Sequence, residues 1–414
     1  MANTLWGKVY YQDIFAGFLK QEPGGRCDFT YDSSYLNAKS PAIAFTLPKR
    51  EESFICETGL HPFFDNLIAE GWLERAQAQA LRVNINDRFA LLLGFGNDLA
   101  GAVSVIDPEP RSHHTIDPGE ELMNAAIRGR ASLSGVQSKL LLVKEGDQFR
   151  PVQKNELSSH IAKFARPEFP DILEVEYLST LAQKHLLPND RVVELEMSEI
   201  CAKPALIIKR FDRRPSGKKI HFEEFNQILG HYSGNDKYSG SYEDMGTFMC
   251  KNPYCLPAEA DTLYRRILAS LLLGNTDAHF KNFALLHTKD GFRLTESYDL
   301  VAACYYPPFQ TIALGIAQAY ELRWGDLKSK HIVEMGYPFG LNDVAIKTAA
   351  ADLKNSLEAA IDAVLAAHVG SKKLKQRLIN LMEKRWKGSF ESIGVLLSKR
   401  QSTDGKRPIL RKKR

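Results

Sequence analysis

Apolar positions change their period several times along the chain, and those changes outline the elements. In residues 1–105, "GKVYYQDIFAGFLK" and "SPAIAFTLPKR" alternate and are bounded by Gly and Pro, which predicts strands. "HPFFDNLIAEGWLERAQAQALRV" places Phe64, Leu67, Ile68 and Trp72 at helical spacing, which predicts one helix. "LLLGFGNDLAGAVSV" has Gly94 and Gly96 but Leu99 where a dinucleotide loop needs its third glycine, so a turn between helix and strand is expected. "DPEPRSHHTIDPGEE" (107–121) reads as a linker. After it come a hairpin, "SKLLLVKEGDQFRPVQK", turning at Gly146, and a short strand, "SSHIAKFA". An amphipathic helix, "EVEYLSTLAQKHL", and a buried strand, "PALIIKRFDRR", follow. From about residue 222 helical spacing dominates, interrupted by one hairpin at 283–298.

At 414 residues the chain needs two or three cores. A 44% apolar, 25% charged composition is that of a globular protein, and no apolar run reaches the roughly 18–20 residues of a membrane span. The N-terminus lacks the basic-then-apolar pattern of a signal peptide. The six cysteines are scattered, with no zinc-like Cys or His spacing, as expected of free thiols in a reducing cytoplasm. The net charge of +4 is local. Residues 399–414 hold eight basic side chains against Asp404, a net +7, so the rest of the chain is mildly acidic. Such a tail is either a solvated end or a phosphate-backbone contact.

The densest chemistry lies in "LLLGNTDAHFKNFALL" (271–286). Leu263, Ile267 and Leu271 share a helical face and Gly274 is a fitting C-terminal cap, so the helix should stop there and release Asp277, His279, Lys281 and Asn282 as a loop. The hairpin that follows should return Asp299 to Asn282, about 5 Å away. Two acids and an amide at one loop suit either paired-carboxylate hydrolysis or phosphoryl transfer with Mg²⁺. The interval of five from Asp277 to Asn282 equals that of a kinase catalytic loop, yet Asp and Asn are common loop residues, so a merely capped loop accounts for it equally. Other parts stand in kinase order. Lys163 is placed to meet ATP phosphates, and Glu176 on the next helix to hold that lysine. "SLSGVQSKLLL" (132–142) could cover the phosphates, and the backbone at Lys209–Phe211 could meet an adenine edge.

Together "SLSGVQSKLLL", "HIAKF", "EVEYL", "IKRFDR", "GNTDAHFKNFALL" and "YDL" resemble the successive motifs of the HipA family of bacterial serine/threonine kinases, toxins of type II toxin–antitoxin modules. The catalytic loop is also similar to that of phosphatidylinositol 3/4-kinases. "AIAFTLP", "FFDNLIAEG" and "GNDLAGAVSV" extend the resemblance to that family's N-terminal subdomain. It implies an α+β, two-lobed, protein-kinase-like fold. A small α/β subdomain (1–108) and linker (109–121) would precede a strand-rich N-lobe (122–221) and an all-α C-lobe (222–398), with the basic tail (399–414) outside.

By residue, the resemblance implies Asp277 as catalytic base and Asn282 and Asp299 as Mg²⁺ ligands. Lys163, Ser134, Gly135, Val136, Gln137, Lys139 and His279 would contact ATP, with Lys209 and Phe211 at adenine. Ser132, with Ser134 beside it, would be the site of inactivating autophosphorylation, since about −2 charge per phosphate repels ATP. His279 would orient the loop or reach a phosphate; Lys281 would neutralise the transferred group or point to solvent. The implied partners are a HipB-like helix-turn-helix antitoxin, operator DNA through that complex and the tail, and an aminoacyl-tRNA synthetase as substrate. A bacterial cytoplasmic location and growth arrest leading to persistence follow. The competing readings are a small-molecule or lipid kinase on the same fold and a catalytically silent corepressor.

Overall fold

The computed structural model describes residues 4–110, 112–114, 121–128, 137–153, 156–214 and 216–404. The strands fall into three antiparallel sheets. The first is ordered β4-β3-β2-β1-β5, from β1 (Leu5–Tyr11), β2 (Ile14–Gln21), β3 (Cys27–Tyr31), β4 (Phe54–Cys56) and β5 (Val103–Ile106). Burial alternates along β1 and β3, so Val9, Phe29 and Tyr31 point to a core that Phe63, Phe64, Phe89 and Phe95 close from the helical side. Each of those four phenylalanines is at most 1% exposed, a burial that stabilises by about 1.5–3 kcal/mol per side chain.

Three expectations change in this region. "GKVYYQDIFAGFLK" is not one strand but the β1–β2 hairpin, turning at Gln12 with φ 55°. "SPAIAFTLPKR" is a loop with a single bridge, Ala44 to Leu47. Pro41 and Pro48 withhold two ladder donors, while Ile43, Ala44 and Leu47 are still buried, so the segment packs as core without pairing. The expected helix over 61–83 breaks into Pro62–Asp65 and Gly71–Leu81, because Gly71 takes φ 64° and turns the chain at Glu70.

The second sheet is ordered β7-β6-β8-β10-β9, from β6 (Lys139–Glu145), β7 (Gln148–Pro151), β8 (His160–Phe164), β9 (Leu195–Ile200) and β10 (Lys203–Lys209). Gly146, at φ 59°, makes the expected β6–β7 turn. The helix Ile172–Leu186 lies between this sheet and the helical lobe: Leu173 joins Leu206 and Ile208, while Val175, Leu178 and Ala182 join the helical core.

That lobe centres on the helix Pro257–Leu273, which starts with Pro at its first position and ends at Gly274, φ 79°. Helices Asp343–Ala366, Lys372–Arg385 and Ile393–Asp404 complete it, so the basic segment opens as helix as far as Asp404. Amid the helices sits the third sheet, β11 (Phe222–Glu224), β12 (Ala284–Thr288) and β13 (Gly291–Leu294), whose β12–β13 hairpin is the one expected. The architecture is α+β and two-lobed, with a cleft where the second sheet meets the helical lobe.

Candidate active site

The loop 274–283 is held on several sides. An added Cβ at Gly274 would lie 2.2 Å from Cys304 Sγ, so only glycine turns the chain here. Thr276 Oγ1 donates to the Phe309 carbonyl (2.8 Å) and Tyr242 OH to that of Ala278 (2.9 Å). These anchors present Asp277 to a cleft of about 320 Å³, lined also by Lys163, His279, Lys281, Asn282 and Asp299.

Lys163, 4% exposed on the central strand β8, donates to Glu176 Oε1 (2.5 Å) and also to Asp299 Oδ1. Burial disfavours the ammonium, but the two carboxylates outweigh it and hold its pKa above the ordinary lysine value. Asp299 is driven the other way: despite burial, Lys163 and Lys139 keep its carboxyl well below the usual range. Glu176, more deeply enclosed, is raised by burial, so Asp299 is the firmer anion of the pair. Asp299 itself sits at φ 56°, a left-handed conformation that few residues other than Gly, Asn and Asp adopt.

The hairpin does return Asp299 to the loop: Asn282 Nδ2 donates to Asp299 Oδ2 at 2.9 Å. Asn282 Oδ1 accepts from the His279 amide (2.9 Å), closing the short turn Phe280–Asn282. The amide N–H₂ thus supplies the positive partner that a cation would supply. The carboxylate of Asp299 and the amide oxygen of Asn282 are hard oxygens of the type Mg²⁺ takes, so the residues fit such an ion.

Asp277 Oδ1 accepts from Tyr238 OH (2.9 Å). Burial and the nearby Asp299 raise the Asp277 pKa to about 6 against that hydrogen bond, which suits a proton acceptor near neutrality. His279 is buried, its Nδ1 has no hydrogen-bond partner, and burial holds its pKa down to about 3, so the ring is neutral. Lys281 does not point to solvent. It is 5% exposed in the cleft wall, and its Nζ lies 2.6 Å from Glu70 Oε1 and 3.8 Å from Glu224 Oε2.

Of the remaining expected residues, Lys139 lies beside Lys163 across the β6–β8 pair, and burial with that neighbouring charge lowers its pKa. Gln137 Nε2 donates to the Phe164 carbonyl (2.7 Å). The Lys209 amide donates to the Glu194 carbonyl (3.1 Å), so that donor is taken, while the Phe211 ring packs on Tyr298 and Phe222 at the cleft edge. Ser132, Ser134, Gly135 and Val136 lie outside the described residues.

Glu70, Tyr238, Lys237 and Glu224 also line the cleft and went unnoticed in the sequence. The one available signal was Glu70 directly before a glycine inside a helical pattern.

Among the described residues, one group of three His, Cys, Asp or Glu side chains comes close enough to suggest an ion: His221, Glu223 and His287. The Ala102 amide donates to His221 Nδ1 (3.4 Å). The ring proton therefore belongs on Nε2, which leaves no lone pair for a metal. His287 Nε2 lies 2.8 Å from Glu223 Oε1, and the Phe45 amide donates to the same carboxylate (2.9 Å), so the group is a polar joint.

Residues 131–367 match the HipA-like C-terminal domain, and residues 7–106 the HipA N-terminal domain. Among curated proteins, a putative kinase, Y4mE, of Sinorhizobium fredii is 28% identical over 331 residues, covering 72% of this chain and 77% of the relative. The serine/threonine-protein kinase toxin HipA of Shewanella oneidensis is 28% identical over 297 residues, covering 63% of this chain and 67% of the toxin. A solved complex of HipA, HipB and operator DNA from Shewanella oneidensis superposes with a TM-score of 0.75 at 20% identity, over 94% of this chain and 99% of that one; this likeness is one of fold.

Proposed function

The chain belongs to the HipA family, and on that premise we propose that it transfers the γ-phosphoryl group of ATP to a serine or threonine hydroxyl of a protein. The convergence of Asp277, Asn282, Asp299 and Lys163 in one cleft, with Glu176 buried behind Lys163 and paired to it, carries this reading. Asp277 accepts the hydroxyl proton as the oxygen attacks, its raised pKa matched to that task. Lys163, aligned by Glu176, pairs with ATP phosphates. Asn282 and Asp299 would hold Mg²⁺, which when bound supplies charge neutralisation at the phosphates. Backbone groups of Phe211, and of Lys209 apart from its committed amide, would meet adenine, with Gln137, Lys139, Ser134, Gly135 and Val136 assigned to the phosphates.

In this reading residues 1–108 form the N-terminal subdomain, and 122–221 and 222–398 the two lobes. The protein is a toxin that arrests growth in the bacterial cytoplasm by phosphorylating a translation protein of the aminoacyl-tRNA synthetase class. A HipB-like antitoxin and operator DNA hold it, and phosphorylation of Ser132 or Ser134 silences it. The relative named as a serine/threonine kinase toxin supports this assignment. Among the described residues no helix is long and apolar enough to cross a membrane.

The test is to incubate the full chain with labelled ATP and Mg²⁺, then with a host extract, and to locate phosphate by mass spectrometry. Label on Ser132 or Ser134 and on one host protein is expected, and none with Asp277→Asn. Absence of transfer by the wild-type chain to itself and to every host protein would overturn the reading, and transfer to a metabolite alone would replace it. Deleting residues 399–414 should flatten the salt dependence of operator binding by the antitoxin complex if the tail touches DNA.

A further inference from the structure

Consecutive residues of the turn Phe280–Asn282 are tied to different parts of the molecule. Lys281 reaches Glu70, 211 positions earlier in the chain, while Asn282 reaches Asp299. Glu70 is 6% exposed and stands at the N-cap position of the helix Gly71–Leu81 without capping it; the break at Gly71 aims its carboxylate across the interface at the catalytic loop. Its other oxygen lies 3.5 Å from Lys237 Nζ. Glu70 is ionised: Lys281 and Lys237 outweigh burial and bring its pKa to about 2. The Lys281 carbonyl accepts from Tyr298 OH (2.8 Å), next to Asp299 in the chain, so backbone and side chain of Lys281 are both fixed. Phe280, fully buried, stacks on His231 at 5.3 Å and blocks rotation of the turn from the other end. With Glu70 neutral, the Lys281 ammonium would keep only Glu224 at 3.8 Å, and the turn would lose its shortest tether.

We propose that Glu70 is a positioning residue for phosphoryl transfer: by anchoring Lys281 from across the interface, it fixes the Phe280–Asn282 turn and keeps the Asn282 side chain within ligand distance of Asp299. The inference rests on the phosphoryl-transfer reading of the cleft. A neighbour that orients a metal ligand governs metal affinity by about 10–100-fold. A side chain that only stabilises the fold would lower the melting temperature and leave the affinity of the folded protein unchanged.

The experiment measures two quantities on the full-length wild type, Glu70→Gln and Glu70→Asp. One is the Mg²⁺ concentration for half-maximal transfer at saturating ATP. The other is Mn²⁺ binding followed by water-proton relaxation without nucleotide, which needs no turnover. Glu70→Gln should raise both half-saturation values by about tenfold or more, while the KM for ATP at saturating Mg²⁺ moves by less than about twofold. Glu70→Asp keeps the charge but shortens the reach by one methylene, and should fall between; it carries the test if the Gln variant does not fold. Half-saturation values equal to wild type in the folded variants would overturn the proposal, whatever their melting temperatures. A wild-type chain that binds Mn²⁺ but transfers no phosphate would instead sink the kinase reading, with the Glu70 comparison still decided by Mn²⁺ affinity.

Discussion

Replacing Asp98 by Asn removes one anion from a sealed charge network that joins the turn after the helix Arg88–Phe95 to the end of β10. Asp98 is fully buried; it pairs with Arg213 (2.5 Å) and lies 3.6 Å from Arg210, and Ser158 Oγ donates to it (2.8 Å). Asp212 also accepts from both arginines, with Arg210 Nη2 at 2.7 Å and Arg213 Nη1 at 2.8 Å. Lys219 donates to Ser104 Oγ (2.7 Å) and the Asn97 carbonyl (3.0 Å) at the same joint. Breaking a buried pair from one side costs about 3–5 kcal/mol. Both arginines keep Asp212, so the lower end applies, about 3 kcal/mol, or roughly 6–12 °C in melting temperature for a unit of 150–250 residues.

The pH dependence separates this account from ordinary loss of packing. Burial, with Arg213 and Arg210, lowers the Lys219 pKa to about 8, and Asp98 is the first group opposing that fall. In Asp98→Asn the Lys219 pKa must drop further. The folded state then sheds this proton by pH 9 while the unfolded chain, near 10.4, keeps it, so raising the pH from 7 to 9 favours folding. Calorimetry of both proteins at pH 7 and 9 should show the deficit of Asp98→Asn shrinking at pH 9. A deficit that stays constant or grows would refute the charge argument, and a loss below about 1 kcal/mol at pH 7 would refute the magnitude.

Tyr238→Phe removes the hydrogen bond that lowers the Asp277 pKa, so the acid limb of the transfer rate, set near pH 6 in the wild type, should move to higher pH; an unmoved limb in a pH–rate profile would exclude Asp277 as the base. Gly274→Ala forces a Cβ onto Cys304 Sγ at 2.2 Å and onto a φ of 79°, and should destabilise by about 1–3 kcal/mol in denaturant titration; loss of under half that range would mean the helix end shifts freely. Burial raises the Glu223 pKa to about 7, so its neutral form is favoured in the fold and stability falls as pH rises from about 4.5 through 7. Glu223→Gln, which still accepts from the Phe45 amide, should therefore match the wild type at pH 5 and exceed it at pH 8; equal melting curves at both values would contradict this.

What the sequence made legible was local. Gly274 after an apolar helical face marks the helix end, and the spacing of β12 and β13 is enough to return Asp299 to Asn282. Lys163 and Glu176, thirteen residues apart, could be paired because kinase order supplies the geometry. Partners on distant segments had no such signal: Glu70 meets Lys281 across 211 residues, and Asp98 meets Arg213 across 115. The role of Lys281 stayed open between the transferred group and solvent because its partner Glu70 lies 211 residues away. Alternation misled in "SPAIAFTLPKR", where the apolar residues are buried but two prolines prevent pairing. Helical spacing misled in 61–83, where Gly71 interrupts a face that otherwise keeps its period.

The left-handed backbone at Asp299 bears on which sequences can occupy that position. Charge for Lys163 requires Asp or Glu, while φ 56° favours Gly, Asn or Asp. The two sets overlap in one residue. Glu would keep the charge at about 1–2 kcal/mol of backbone cost and with a carboxylate one methylene too far out; Asn or Gly would keep the backbone and abandon the charge. A saturation scan should find this position less permissive than Asp277 or Asn282, with no conservative neighbour to drift through, so loss of the ion pair here is a single step with no intermediate stop.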